Sequence, residues 1–201
     1  MTESQVALTF DAEHPSRPGG GADSVGMILD TLSKAGAAST FFMQGRWASA
    51  YPEAARRIAI GRHVVGNHSN FHAPLTLLSE NGFQVDVRES ERRIHEATGV
   101  DPRPWFRCPF GEGASRPEIV EQLGRLGYRN VEWTIDSGDW QRADSPELVE
   151  AAVLEGVRSS GGRSVILFHT WPAATVVALP ELIGRLRGEG VSLVTVAELA
   201  P

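Results

Sequence analysis

His68 and His72, four residues apart, carry the clearest chemical potential in this sequence. On a helical turn, side chains at i and i+4 point the same way, so both imidazoles can hold one divalent ion. A carboxylate from another segment would complete the protein ligands and leave a position open for water, as in hydrolytic metal sites. Such an ion brings the pKa of its water toward ~7 and polarises a carbonyl. Asp11 ends an apolar run and suits a general base, since a carboxylate beside a dication stays ionised. In Arg107-Cys108-Pro109-Phe110-Gly111 a cation meets a turn shaped by Pro and Gly. Arg107 can pair with Asp11, and the Phe110 N–H can face a developing oxyanion. His169 follows an apolar run and is a candidate acid for a leaving amine, with Asp136 or Asp139 to hold its other ring nitrogen and raise its pKa. Trp140 and Trp171 are candidate walls for a sugar ring, whereas Trp133 reads as core. Cys108 suits a small buried filler better than a nucleophile.

These residues need elements that bring them together. Short apolar runs at 6–10, 39–43, 63–66, 105–107, 131–135, 164–169 and 191–196 read as strands. Helical patterns alternate with them at 24–35, 52–60, 79–99, 116–126, 145–157 and 179–187. Asp23 is a candidate cap for the first, Pro52 and Pro146 suit first turns, and Gly61, Gly99 and Gly127 suit helix ends. Alternating strands and helices imply βα units and a parallel sheet, as an incomplete barrel or an open doubly wound sheet. In either, the candidate residues sit at C-terminal strand ends and open on one face. The Pro/Gly-rich stretch 15–21 lies between the first strand and first helix, so it reads as a loop and the whole chain, 1–201, as one domain.

Composition narrows the function classes. The formal net charge of -6 and the absence of like-charge runs exclude the basic patch of a nucleic-acid binder and electrostatic docking on an anionic membrane. Basic residues are nearly all Arg, with Lys34 the single Lys, and one cysteine rules out an internal disulfide. No stretch approaches ~18 apolar residues, so no transmembrane helix is expected. No signal peptide is visible, which gives a cytoplasmic expectation for the chain as it stands, or a secreted or cell-wall one if a leader was removed.

In chain order, Ala7-Leu8-Thr9-Phe10-Asp11, Gly66-Asn67-His68-Ser69-Asn70-Phe71-His72, Arg107-Cys108-Pro109-Phe110-Gly111, Asp136-Ser137-Gly138-Asp139-Trp140 and Leu167-Phe168-His169 resemble the motif regions of the polysaccharide deacetylase family (carbohydrate esterase family 4, the NodB homology domain). Ser39-Thr40-Phe41-Phe42 is similar to its second strand. The resemblance implies an α/β fold, a distorted (β/α) barrel of about seven parallel strands. It also implies hydrolysis of an N-acetyl group on a glycan or amino sugar with a divalent metal, zinc first. Asp11 would be the base, His68 and His72 metal ligands, Arg107 the group steadying Asp11, the Phe110 N–H the oxyanion donor, His169 the acid and Asp136 the carboxylate tuning it.

Three positions depart from the family. The second Asp that follows the base and binds the metal is Ala12 here, Phe110 replaces a Tyr, and Thr170 replaces an acidic residue. Glu13 resembles a minority Asp-x-Glu variant. Because side chains alternate along an extended segment, Asp11 and Glu13 should share one face, which makes Glu13 the expected third ligand and His14 its competitor. Two other functions fit the same residues: an amidohydrolase acting on a small amide or cyclic imide, and a glycan-binding pseudoenzyme without metal.

Overall fold

A computed structural model describes residues 4–17 and 22–199. In chain order the elements are β1 (Gln5–Ala12), α1 (Ala22–Ala35), β2 (Thr40–Met43), α2 (Gly45–Ala50), α3 (Pro52–Ile60), β3 (Val64–Asn67), α4 (Glu80–Thr98), β4 (Trp105–Phe106), α5 (Pro117–Arg125), β5 (Arg129–Asn130), β6 (Ile135–Asp136), α6 (Pro146–Ser160), β7 (Arg163–His169), α7 (Ala173–Gly188), β8 (Ser192–Val194) and α8 (Val196–Leu199). All pairs are parallel, in the order β5-β4-β3-β2-β1-β7-β6. β7 runs along one edge of β1. On the other edge β2 pairs with Thr9–Ala12 and β8 takes the part that β2 leaves, Gln5–Ala7. The sheet is therefore a curled, incomplete barrel, one of the two arrangements the sequence pattern allows and the one the family resemblance implies.

The core shows why β1 is central. Val6, Leu8, Phe10 and Ala12 point into an apolar layer shared with Val25, Ile28 and Leu32 of α1 and Leu179, Leu182 and Leu186 of α7. Burying each of the larger side chains is worth roughly 1.5–3 kcal/mol. Strand alternation then turns Thr9, Asp11 and the following Glu13 to the opposite face, toward the barrel axis. A second cluster, including Phe83, Val87, Phe106 and Leu123, seats α4 and α5 against β4 and β5.

Several elements differ from the sequence reading. The single strand expected at 131–135 is a crossing between two short ones. Val131 N–H donates to the Phe106 carbonyl at 2.7 Å, whereas Thr134 N–H donates to the Val165 carbonyl at 2.9 Å, so the chain steps from the β4 edge to the β7 edge. This segment spans the barrel seam in place of a ladder. α7 begins at Ala173 and not at 179, so Pro180 lies inside the helix and not near its start. α2 was not expected. It starts at Gly45, where a Cβ would fall 2.6 Å from Ser90 Cα and 2.7 Å from Asn70 Oδ1. Asp23 lies inside the first turn of α1 and not at a cap position. α4 closes as expected at Gly99, with φ 75°, and at its start Ser79 Oγ accepts from Gly82 N–H at 3.1 Å as a cap. The loop expected at 15–21 lies partly outside the described residues. Among these, no helix is long and apolar enough to cross a membrane.

Candidate active site

Strand register assembles the site. Asp11 pairs in register with His169 across β1 and β7, and Asn67 with Phe106 across β3 and β4. His68 and Arg107 follow that second pair directly, so four chemical residues stand at neighbouring C-terminal strand ends. Asp11, His68 and His169 line one cleft of about 410 Å³ with Glu13, His72, Phe110, Trp133, Asp136 and Trp140, and Arg107 lies buried behind Asp11.

Asp11 is buried and accepts from Arg107 Nη1 at 2.8 Å. Arg107 is fully buried too; its Nε–H donates to the Val131 carbonyl at 3.1 Å, and its guanidinium lies 4.2 Å from the Phe42 ring centroid. The crossing segment thus anchors the cation that steadies Asp11.

His68 Nδ1 sits 2.8 Å from the Arg107 carbonyl. A carbonyl only accepts, so the ring proton belongs on Nδ1 and the Nε2 lone pair is left for the cleft. That Nε2 lies 3.1 Å from His72 Nε2, 3.4 Å from Glu13 Oε2 and 3.4 Å from Asp11 Oδ2. Glu13 Oε2 is 2.6 Å from His72 Nε2, yet the approach lacks hydrogen-bond geometry and leaves this buried oxygen without a partner. Ligand atoms of Glu13, His68 and His72 all fall within 4.8 Å of one another. Two imidazole nitrogens and a carboxylate oxygen that has no hydrogen-bond partner, all turned on a single point, fit a divalent ion. His14 is not part of this set; its Nε2 is spent on the other oxygen, Glu13 Oε1, at 3.1 Å. Burial alone would raise the Glu13 pKa, but contacts from His14, His68 and His72 outweigh it and hold the carboxyl well below its usual range.

The histidine pair is not on a helix. Residues 68–72 form an irregular loop in which Ser69 (φ 60°) and His72 (φ 56°) are left-handed. Asp86, on the buried face of α4, accepts from Asn70 N–H at 2.9 Å and Phe71 N–H at 3.1 Å. Asn67 Oδ1 accepts from Ser69 N–H and Ser69 Oγ from His72 N–H. Sequence reasoning missed Asp86 and Asn67. A carboxylate three residues after Phe83, on the stripe that holds Val87, Ile94 and Ala97, was the available signal.

Opposite the histidine pair, His169 is held by Asp139 and not by Asp136. Asp139 Oδ1 lies 2.8 Å from His169 Nδ1, and Oδ2 accepts from His169 N–H at 2.7 Å and Thr175 Oγ–H at 2.6 Å. Burial pulls the His169 pKa down, but the Asp139 hydrogen bond and charge overcome this and raise it to about 9. The expectation for Asp136 is corrected: it accepts from Gly138 N–H at 2.8 Å and faces Trp140 Nε1 at 3.4 Å, on the exposed side of the turn. The turn folds so that Asp139, fully buried, points back at β7.

Phe110 is left-handed at φ 60°, and its exposed ring meets the His72 ring edge-on at 4.4 Å between centroids. Trp133, read as core, is instead a cleft wall. Trp140 is 47% exposed, whereas Trp171 is 9% exposed and donates its indole N–H to Glu13 Oε1 at 3.3 Å. Cys108 is buried, and burial pushes its thiol up to about 12, which removes it as a nucleophile.

A family model described as polysaccharide deacetylase matches residues 1–131, more than half of the chain, and the chain belongs to that family. The peptidoglycan-N-acetylglucosamine deacetylase of Bacillus cereus is 29% identical, covering 98% of this chain and 68% of its own length. A solved structure described as a deacetylase with substrate is 31% identical, with a TM-score of 0.83, covering 98% of this chain and 90% of that one. A structure from Bacillus anthracis, described as a pseudoenzyme of carbohydrate esterase family 4, is 27% identical, with a TM-score of 0.87 over 98% of this chain and 65% of that one. The chain spans from 39% to 93% of the length of the curated relatives it matches, and about half (51%) of one of them.

Proposed function

We propose that this chain is a metal-dependent deacetylase that hydrolyses an N-acetyl group on an amino-sugar glycan. The observation that carries the reading is the convergence of the Glu13, His68 and His72 ligand atoms beside the Asp11–Arg107 pair, with the Asp139-held His169 across the same cleft. Glu13 serves as the third ligand in an Asp-x-Glu variant of the first motif. A divalent ion held there, with zinc suiting the two nitrogens and one oxygen, would supply a Lewis acid for the acetyl carbonyl and acidify the attacking water. Asp11, held in place by Arg107, takes the proton from that water. The Phe110 N–H faces the oxygen on which negative charge develops. His169 delivers its Nε2 proton to the amine nitrogen as the C–N bond breaks, leaving acetate and a free amine. Trp140 offers its open ring face to a sugar.

The glycan assignment is supported by relatives described as acting on peptidoglycan N-acetylglucosamine and on chitooligosaccharide. Acetate release tests it, measured on chitooligosaccharides, peptidoglycan fragments and small amides, with added zinc and with chelator. Release from sugars that chelator abolishes is the expected result. Turnover of small amides or cyclic imides alone would transfer the site to the amidohydrolase reading. Glycan binding with no turnover under any metal would make this chain a pseudoenzyme like its Bacillus anthracis relative.

A further inference from the structure

Glu13 has one more rotatable bond than an Asp and sits at 3% exposure, so something must orient it. Its two oxygens have different surroundings. Oε1 accepts a hydrogen bond from Trp171 Nε1 at 3.3 Å and has His14 Nε2 at 3.1 Å, an ion-pair contact without hydrogen-bond geometry, and His169 Nε2 further off at 3.9 Å. Oε2 has no hydrogen-bond partner and faces the histidine pair. A carboxylate gripped at one oxygen has its plane fixed, and the other oxygen becomes the ligand atom.

Both grips are themselves immobilised. Thr170 N–H donates to the Asp11 carbonyl at 3.1 Å, which extends the β1–β7 ladder to the residue before Trp171. The Arg17 guanidinium lies 4.0 Å from the Trp171 ring centroid, and the His169 ring is 5.6 Å away. The covered ring has little free face for a sugar. His14 adopts φ 53°, and its N–H donates to Gln44 Oε1 at 3.0 Å. That turn brings the imidazole back over its neighbour.

We infer that Trp171 and His14 are positioning residues that clamp Glu13 Oε1 and so direct Oε2 to the metal, Trp171 being a brace for the ligand and not a sugar-binding wall. The inference rests on the reading of Glu13 as third ligand. Together the residues at 14 and 171 make a longer carboxylate at 13 serve where position 12 offers only Ala12.

The test is a double-variant cycle on zinc affinity, by titration of the metal-stripped full chain against a competing chelator, with the cobalt(II) absorption spectrum as a second readout. Trp171→Phe keeps an aromatic ring under Arg17 and removes the N–H together with the five-membered ring. It should raise the zinc Kd by roughly 10- to 100-fold and alter the cobalt spectrum. Glu13→Ala should weaken zinc at least as much, and the double variant should be no weaker than Glu13→Ala alone, because the brace acts only through the carboxylate. If Trp171→Phe does not fold, His14→Ala at the half-exposed rim gives the same non-additive pattern with an effect on the order of threefold or more. Parent-like zinc binding in both Trp171→Phe and His14→Ala, with Glu13→Ala impaired, overturns the clamp alone, and so do losses that multiply in the double variants. Parent-like binding in Glu13→Ala overturns the ligand reading itself, and the clamp with it.

Discussion

Asp139→Asn is the substitution that most directly separates the geometry from the sequence expectation. Asp139 accepts from His169 N–H, His169 Nδ1–H and Thr175 Oγ–H at 2.7, 2.8 and 2.6 Å. An Asn with its carbonyl at the Oδ2 position keeps the first and third bonds, so the turn should fold. Its amide NH₂ then faces Nδ1, which can no longer carry a proton. The imidazolium is lost, and the neutral ring left behind is a poor acid. Raising the His169 pKa from 6.5 to about 9 corresponds to about 3 kcal/mol of imidazolium stability. Losing that alone is worth a few hundredfold, within the roughly 10²–10⁴ range of general acid catalysis. The assay is acetate release from a chitooligosaccharide with zinc, run beside an aryl acetate whose leaving group needs no proton. Asp139→Asn should lose kcat in that range on the amide and far less on the ester. Asp136→Asn should stay within about threefold on both, because Asp136, though it lines the cleft, bonds the turn backbone and Trp140 and not His169. Near-parent amide turnover in Asp139→Asn, or an equal loss in Asp136→Asn, would refute the assignment.

Asp11→Asn should retain zinc and lower kcat by about a hundredfold or more, checked by metal analysis of the same sample used for kinetics. Asp86→Ala orphans the Asn70 and Phe71 N–H groups and should cost about 2–5 kcal/mol, read as a lower Tm with faster amide exchange at those positions. Burial pushes the His63 pKa from 6.5 down to about 4. The unfolded chain therefore takes the proton first, so this contribution is intact above pH 6.5 and is lost as pH falls toward about 4. The parent Tm should fall more steeply across that window than that of His63→Asn, and parallel curves would dismiss the effect.

The fold was legible where local pattern and tertiary role agree. The apolar run of β1, the capped α4 and the Pro-started α3 and α6 each have their own periodicity and boundaries. Residues 131–135 were misread because their two ends pair with different strands, and no local pattern records a change of partner. α2 was missed because six residues are too few for a period, and its placement depends on close approach at Gly45. The choice between Asp136 and Asp139 was unreadable for a related reason. Both lie in one turn, and only its folded path decides which carboxylate is buried.

The largest departure concerns the histidine pair, whose spacing fits a helix although no helix is there. His68 continues β3, with its N–H donating to the Met43 carbonyl at 2.9 Å, and the chain returns through left-handed Ser69 to left-handed His72. The rings meet at 66° with centroids 4.8 Å apart. Among the described residues, five non-glycines have positive φ: His14, His72 and Phe110 line the cleft, Ser69 lies between the two histidines, and Arg62 lies elsewhere. Each such conformation costs roughly 1–3 kcal/mol, so together they oppose folding by an amount comparable with a small domain's whole stability. They persist because buried polar side chains hold the backbone: Asn67 on Ser69, Asp86 on Asn70 and Phe71, Ser90 on the Ser69 carbonyl, and Gln44 on His14. None of these four meets the ion or the substrate in the proposed reaction, yet without them the same His-x-x-x-His spacing would relax to a loop with its rings apart. Ligand spacing in this chain therefore identifies the residues but not the site; the site belongs to the hydrogen bonds that force the loop left-handed.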